Sequence, residues 1–217
     1  MDKNIFHIFF LITIFALIGK TNAQQSIIFK HDLKHSDSLA QWELNGSGSW
    51  KISHGKLMLF KAGIPSGPIR KPSAIAILKT KPFRKVTVEA EIKSTAPPEL
   101  IRRDLDIIVG YESPLRFYYI HLSGINDDVH NGIFLIDNSD RRRVDSGKGK
   151  PQLNDMNWHY VRVEWDGYSG IIQVYVDNSE APVLDATDKT ICCGQGGVGS
   201  FDDTGEFRNI VITGVLK

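Results

Sequence analysis

The sequence predicts an all-β protein in which two antiparallel sheets pack face to face. Beyond residue 23 the apolar residues show almost no 3.6-residue spacing and much alternation with a period of two, the period of a half-buried strand. These segments are short, rich in Val, Ile, Phe and Tyr, and separated by Gly, Pro, Asn and Asp, as in β-sandwiches. We predict strands over residues 26–29, 50–53, 56–60, 74–78, 85–94, 106–111, 117–122, 132–137, 158–165, 170–176, 197–201 and 206–213.

The first 23 residues predict a signal peptide. Lys3 precedes an apolar run, Ile5–Gly19, and the small-residue end Thr21-Asn22-Ala23 follows. A charged start, an apolar middle and a small-residue end are the three parts of a secretory signal. The run is short for a membrane span, which needs about 20 residues, although a retained anchor is the alternative. We expect cleavage after residue 23, a single domain over residues 24–217, and a secreted or periplasmic location.

Charge and cysteine content narrow the classes of partner. Without its first 23 residues the chain has 24 basic and 24 acidic residues. It therefore has no net charge that would attract nucleic acid or a membrane surface.

Cys192 and Cys193 are neighbours and cannot join distant segments. We interpret them as small apolar residues at a strand end, with a vicinal disulfide or a metal-binding thiol pair as alternatives. We therefore expect a monomer that is held together by its core.

One hairpin can be placed in register. The apolar residues of segments 158–165 and 170–176 alternate, and matching their faces fixes which residues are opposite. The connection is then the four-residue loop 167–170, a common hairpin length. The predicted pairs are Trp165 with Ile172, Val163 with Val174 and Val161 with Val176 on the apolar face, and Arg162 with Tyr175 and Glu164 with Gln173 on the other.

The polar face of this hairpin is a candidate glycan surface. It combines charged, amide and aromatic side chains, which is typical of a sugar-binding sheet and also of any sheet face that meets solvent. We take Arg162, Gln173 and Tyr175 as candidate substrate-binding residues.

Four segments resemble the concanavalin A-like lectin/glucanase superfamily. Residues 50–57 (WKISHGKL) resemble its W-x-hydrophobic-x-x-G-x-L opening, and residues 158–164 (WHYVRVE) resemble the W-H-x-V-R-V strand of its laminin-G-like and glucanase-like members. Residues 170–177 (GIIQVYVD) and 197–210 (GVGSFDDTGEFRNI) are similar to the strands that follow. The resemblance implies a jelly-roll β-sandwich with ligands on a concave sheet face. It leaves the activity open, because this fold serves lectins, glycosidases, lyases and adhesion domains.

A pair of glutamates is the nearest match to a glycosidase site. Retaining glycosidases of this superfamily carry E-x-D-x-x-E or E-x-D-x-E on one strand. Glu89 and Glu91 leave the same face about 6–7 Å apart, near the separation of a nucleophile and acid pair. However, the central Asp and the later carboxylate are missing, since Ile92 and Lys93 stand after Glu91. The pattern does not favour a conventional glycosidase, and the two glutamates remain candidate substrate-binding or simply solvent-facing residues.

A second group of polar residues surrounds segment 117–122. Tyr119 and His121 alternate on one face of this predicted strand. If segments 106–111, 117–122 and 132–137 are neighbouring strands, flanking residues converge at one end of that face. The candidate catalytic residues are Tyr119, His121, His130, Asn131 and Arg103.

These residue types suit β-elimination on a uronate polysaccharide. Arg or Asn neutralises the carboxylate, His or Tyr removes the neighbouring proton, and Tyr or His protonates the leaving oxygen. Alginate-type lyases of the same fold use such a set, but their R-x-E-L-R, Q-[IV]-H and Y-F-K-x-G motifs do not occur here. The alternative is that Tyr119 and His121 form a structural or sugar-stacking surface.

Two loops supply candidate ion contacts. Residues 141–150 contain five cations and one acid, a charge that attracts a uronate or sulfated chain, and we take Arg142 as its candidate substrate-binding residue. A solvated loop is the alternative.

Asp202 and Asp203 offer hard oxygen ligands in a turn that ends in Gly205. They predict a structural calcium site, or an Asx turn that needs no ion.

Three functions therefore stay open. The first is a polysaccharide-cleaving enzyme, with a lyase favoured over a glycoside hydrolase. The second is a carbohydrate-binding jelly roll without catalysis, and the third is a laminin-G-like protein-interaction module. The expected partner is a polysaccharide or oligosaccharide, with no nucleic acid and no membrane after signal cleavage.

Overall fold

The structure, a computed structural model, describes residues 26–30, 33 and 36–217. The predicted signal peptide lies outside the described residues. Within them, no helix has the length and apolar character to cross a membrane. The elements are β1 (Ser26–Lys30), η1 (Ser36–Gln41), β2 (Trp42–Gly46), β3 (Ser49–Ser53), β4 (Lys56–Lys61), β5 (Ala74–Leu78), β6 (Phe83–Ser94), β7 (Asp104–Ser113), β8 (Arg116–Ser123), β9 (Gly132–Asp137), β10 (Arg142–Arg143), β11 (His159–Asp166), β12 (Ile171–Val176), β13 (Leu184–Thr187), β14 (Gln195–Ser200) and β15 (Gly205–Leu216).

Two antiparallel sheets contain these strands. Sheet A has the order β13-β12-β11-β6-β15-β4-β3, and β1 also pairs with β15. Sheet B has the order β10-β9-β8-β7-β14-β5-β2. Apart from η1, a 3-10 helix, every described element is a strand. The predicted all-β, two-sheet antiparallel sandwich is confirmed.

The main core lies between the two sheets. Alternate residues of each strand point into it, as the two-residue period of a strand requires. Trp165 on β11 and Tyr118 on β8 meet across the core with their ring centroids 6.2 Å apart. Other large, fully buried members of this core are Phe83, Phe207, Leu57, Leu59, Ile92 and Leu105.

The β11–β12 hairpin has the predicted register. Trp165 is opposite Ile172, and Arg162 is opposite Tyr175, so the predicted pairing is confirmed on both faces. Gly170 ends the connecting loop with a φ of +77°, and a Cβ there would lie 2.6 Å from the carbonyl oxygen of Asp188. Both the left-handed backbone and the close approach require glycine at this position.

Three strands were not predicted. These are β2, the two-residue β10 and β13, and each lies at an edge of its sheet. Edge strands are often short and polar, and β10 is formed by two arginines, Arg142 and Arg143. The expected neighbourhood of segments 106–111, 117–122 and 132–137 is confirmed, because β7, β8 and β9 are consecutive in sheet B.

A doubly paired histidine joins β11 to two turns. His159 is buried, its Nδ1 lies 2.7 Å from Oδ2 of Asp177, and its Nε2 lies 2.9 Å from Oδ1 of Asp155. Burial alone would lower the pKa of His159, but its hydrogen bonds to the two carboxylates and their charges raise it above its ordinary value of 6.5. The protonated ring therefore stabilises the fold.

We expect His159→Gln to lower the free energy of unfolding most below about pH 6.5. The deficit should shrink as the pH rises through the raised pKa, because only the imidazolium attracts both carboxylates and the wild type loses that attraction on deprotonation. Urea unfolding of both proteins between about pH 5.5 and 8.5 measures this difference.

His54→Gln is the matched control for this prediction. His54 is exposed in the β3–β4 turn, and its ring nitrogen bonds only to the hydroxyl of Ser53 among the described contacts. A His159→Gln deficit that stays constant over the pH range would show that the ring acts by packing alone.

Candidate functional site

The face of sheet B that is turned away from sheet A is apolar, aromatic and buried. We call it the outer face of sheet B. Because Tyr118 and Ile120 point into the main core, their neighbours Phe117 and Tyr119 point outward. Tyr119 stacks on Phe134 with 5.2 Å between ring centroids. The outer-face cluster comprises Ile75, Ile77, Ile108, Tyr111, Phe117, Tyr119, Phe134, Ile136 and Phe201.

Buried polar groups occupy one end of this face. Asp104 and Asp106 lie on β7, and His121 on β8 is directly opposite Asp106. All three are at most 2% exposed, and Nδ1 of His121 lies 3.2 Å from Oδ1 of Asp106. Burial raises the pKa of Asp104 to about 7 and that of Asp106 well above its ordinary value. Ionisation of these two carboxyl groups is therefore costly, because burial has removed the water that would solvate their charge.

A cavity of about 570 Å³ opens at the same end. Its lining consists mainly of basic, acidic and imidazole side chains with three apolar ones, so it is more polar than a usual small-molecule pocket and suits a polar ligand. The lining residues are Arg70, Leu100, Arg102, Asp104, His121, Val129, His130, Arg141, Phe201, Asp202 and Asp203.

Arg141 brings a positive charge to the cavity near the buried Asp106. Its guanidinium lies over the ring of Phe201 at 4.5 Å and over that of Phe134 at 5.6 Å. Burial raises the pKa of Asp106, and the positive charge of Arg141 opposes that rise. The guanidinium also donates to the carbonyl oxygen of Val129 at 3.1 Å, and its further N–H groups can bind a planar anion such as a carboxylate.

His130 forms the exposed side of the site. Its Nδ1 lies 2.8 Å from Oδ1 of Asp127, and the centroid of its ring is 5.6 Å from that of His121. Burial lowers the pKa of His130, although Asp127 acts in the opposite direction. If Nδ1 carries the proton that bonds to Asp127, Nε2 is left as an acceptor.

Arg143 holds the loop that carries His130. Its guanidinium donates to the carbonyl oxygens of Asp127 at 2.6 Å and His130 at 2.7 Å, and it forms an ion pair with Asp145 at 3.1 Å. The same group also lies over Phe134 at 4.9 Å. Several fixed donors therefore tie residues 127–131 to the sheet, and the position of His130 depends on them.

The structure brings together three of the five predicted catalytic residues. Tyr119, His121 and His130 meet at one end of the outer face of sheet B. Asn131 is adjacent, but its side chain donates to the carbonyl oxygen of Lys150 at 2.7 Å. Arg103 turns away, because its Nε donates to the carbonyl oxygen of Leu153 at 2.9 Å.

The predicted substrate-binding residues lie apart from this cavity. Glu89, Glu91, Arg162, Gln173 and Tyr175 are on sheet A and alternate with residues of the main core, so they point away from sheet B. The guanidinium of Arg162 stacks on Tyr175 at 3.9 Å. Glu91 accepts hydrogen bonds from Arg208 and Asn209, and Glu89 accepts one from Tyr160. Gln173 lines a separate groove of about 440 Å³ on sheet A.

Arg142 and the predicted calcium ligands have different surroundings. Arg142 forms an ion pair with Asp188 at 2.9 Å and does not line the cavity. Asp202 is exposed and Asp203 buried, and both line it. Together with Asp104 they place carboxylate oxygens within 4.8 Å of one another, a cluster that can bind a metal ion.

Asp104, Asp106 and Arg141 belong to the site but were not among the predicted site residues. Asp104 and Asp106 alternate with Leu105 and Ile107 in an otherwise apolar segment, so the two-residue period could have placed them on the face of Tyr119. Arg141 belongs to the basic run that the sequence singles out, but no periodicity distinguishes it from its neighbour Arg142.

Comparison with known proteins bears on the fold. No protein-family model matches the chain, and no curated protein sequence matches it. Among solved structures, the carbohydrate-binding module CBM66 from Bacillus subtilis is 15% identical, with a TM-score of 0.56 over 78% of this chain and 93% of that one. Lectin I from Ulex europaeus, in complex with the methyl glycoside of α-L-fucose, is 14% identical, with a TM-score of 0.57 over 88% and 98%.

A third similar structure is a putative glycosyl hydrolase from Parabacteroides distasonis. It is 10% identical, with a TM-score of 0.52 over 82% of this chain and 89% of that one. Identities this low carry information on architecture alone. The expectation drawn from the four sequence segments is confirmed at that level: the described residues form a concanavalin A-like jelly roll.

Proposed function

We propose that this chain is a secreted protein that binds an acidic polysaccharide in the cavity at the end of the outer face of sheet B. The observation that carries the proposal is the meeting of Arg70, Arg102 and Arg141 with two histidines in one cavity. Export rests on the N-terminal sequence, and N-terminal sequencing of the exported chain, expected to begin at Gln24, tests that part.

The chemistry of the lining supports an anionic sugar. A uronate presents a planar carboxylate, which a guanidinium binds through two parallel hydrogen bonds. Arg141 is held at the cavity by its contacts with Phe201 and Phe134 and by its hydrogen bond to the carbonyl oxygen of Val129. Arg70 and Arg102 are exposed at the cavity, where they add positive charge for an approaching polyanion.

The remaining lining suits the rest of a sugar ring. Leu100, Val129 and Phe201 offer apolar surface to its C–H groups. Asp202 and Asp203 can accept hydrogen bonds from its hydroxyls. Two of the similar structures are a carbohydrate-binding module and a lectin with a bound glycoside, which supports sugar binding on this architecture.

Cleavage of the bound glycan by β-elimination is the second candidate function. The observation that favours it is the His130–Asp127 pair at the cavity, since a carboxylate that fixes Nδ1–H leaves Nε2 to accept a proton. We assign the base to His130 rather than His121, because His121 is only 2% exposed.

The elimination step can be written with these groups. Nε2 of His130 takes the proton from C5 of the uronate while Arg141 neutralises the carboxylate on that carbon. The electron pair of the C–H bond forms the C4=C5 double bond, and the C4–O bond breaks. The leaving oxygen keeps the bonding pair and takes a proton from water, so the products are a new chain end and an unsaturated uronate.

Replacing Arg141 tests the binding site. We expect Arg141→Ala to weaken binding to a uronate polysaccharide such as polygalacturonate or alginate by about 10- to 100-fold, the loss expected for one charge-assisted contact. Arg142→Ala is the matched control, because Arg142 carries the same charge one residue away and pairs with Asp188 outside the cavity. Calorimetric titration with both polysaccharides and with neutral laminarin measures the effect.

The two variants separate a site from a general charge effect. Equal weakening by Arg141→Ala and Arg142→Ala would place binding on the basic run as a whole. Binding by the wild type to none of these polysaccharides would overturn the proposal.

Replacing His130 tests cleavage separately from binding. We expect the wild type to release products with the ultraviolet absorbance of an unsaturated uronate. We expect His130→Ala to lower that rate by about 100- to 10,000-fold, as for loss of a general base, while the affinity changes little. His54→Ala, an exposed histidine on the β3–β4 turn, is the control variant. Tight binding by the wild type without any product would leave a carbohydrate-binding protein that is not an enzyme.

A further inference from the structure

Three side chains beneath the cavity form a compact set of metal-ligand atoms. Asp104, Asp106 and His121 each offer one such atom, and the three atoms all lie within 4.8 Å of one another. Ligands at about 2.0–2.2 Å from a common ion are separated by distances in this range. The three residues come from two neighbouring strands, so the sheet itself fixes their spacing.

Several of these atoms have no hydrogen-bond partner. Both carboxylate oxygens of Asp106 and both ring nitrogens of His121 are buried and unpaired. The 3.2 Å approach between Oδ1 of Asp106 and Nδ1 of His121 is not aligned as a hydrogen bond. A buried polar atom without a partner is costly, and an ion or a water in that position is the usual explanation.

The chemical nature of the unpaired atoms favours a cation. A divalent ion can accept a lone pair from a carboxylate oxygen of Asp106, from one of Asp104 and from a ring nitrogen of His121 at the same time. Asp104, Asp106 and Asp203 are all buried, and a bound cation would neutralise carboxylates that have lost their water.

Asp104 is already oriented for such a role. Its Oδ1 accepts hydrogen bonds from the hydroxyl of Ser200 at 2.7 Å and from the backbone N–H of Phe201 at 2.7 Å. The other oxygen, Oδ2, is left for a further partner. Metal-binding carboxylates are typically fixed by hydrogen bonds of this kind from outside the ligand set.

We propose that Asp104, Asp106 and His121 bind one divalent transition-metal ion beneath the cavity. The imidazole ligand and the mixed oxygen and nitrogen set suit Zn²⁺ or Mn²⁺, whereas Ca²⁺ takes oxygen ligands. The site is distinct from the calcium site expected at Asp202 and Asp203, although Asp104 is close to both. It does not depend on glycan binding.

The test is metal binding by the whole protein without glycan. Protein freed of metal with a chelator is titrated separately with Zn²⁺, Mn²⁺ and Ca²⁺, and bound metal is counted by mass spectrometry after gel filtration. We expect one equivalent of Zn²⁺ or Mn²⁺ and a higher unfolding temperature with the metal bound. His121→Gln and Asp106→Asn should weaken that binding by about 100-fold or more.

Asp185→Ala is the matched control, since Asp185 is an exposed carboxylate on β13 of sheet A, away from the cavity. It should bind Zn²⁺ or Mn²⁺ like the wild type. Because the buried variants could fail to fold, the wild type loaded with Co²⁺ gives an independent measurement: paramagnetically shifted ring-proton NMR signals report whether a histidine is a ligand.

Two results would overturn the proposal. One is wild-type protein that takes up neither Zn²⁺ nor Mn²⁺ after chelation. The other is calcium binding that Asp202→Ala abolishes and His121→Gln leaves intact, which would place a calcium ion at the exposed carboxylates. Glycan binding is measured separately, so failure of the metal site and failure of the carbohydrate site give different results.

Discussion

Burial of the central strands of sheet B on both faces is the constraint on which the candidate site depends. Every residue of β7 from Asp104 to Tyr111 is buried, and so is β8 from Phe117 to Ser123. A polar residue on the outer face of such strands cannot be hydrated, so it must find a partner within the protein or in a ligand. The same desolvation raises the pKa of Asp104 and Asp106. The cavity at the end of this face is the place where such partners can be supplied.

The register and neighbourhood of several strands could be predicted because alternation is local information. Residues 158–176 alternate cleanly, and matching the apolar faces allowed one pairing, which the structure has. The strands β10 and β13 carry no comparable pattern, since one is two arginines and the other has four residues, Leu184–Thr187. Their pairing depends on contacts with β9 and β12, and a single sequence does not contain that information.

Only the part of the site that comes from residues close together in the sequence could be predicted. Tyr119 and His121 share a face two residues apart, and the chain returns to the same end of the sheet at His130. The sequence could not show that Arg141 enters the cavity and that Arg142 and Arg143 do not. The path of the loop decides where each side chain points, and no alternation of residue types reveals that path. Arg141 lies over Phe201, Arg142 pairs with Asp188, and Arg143 donates to carbonyl oxygens of the 127–131 loop. Three identical residues thus have three different surroundings.

The two outward faces of the sandwich differ in how completely their polar groups are paired, and this difference is our reason for placing the candidate site on sheet B. On sheet A, Glu89 and Glu91 accept hydrogen bonds from neighbouring side chains, and Arg162 pairs with Glu164. Such a face gains little from a ligand, because each new contact must replace an existing one. On sheet B, Asp106 and His121 keep unpaired atoms although burial makes that costly. Binding energy is available where the fold leaves groups unsatisfied, and for that reason we propose the ligand site on the outer face of sheet B.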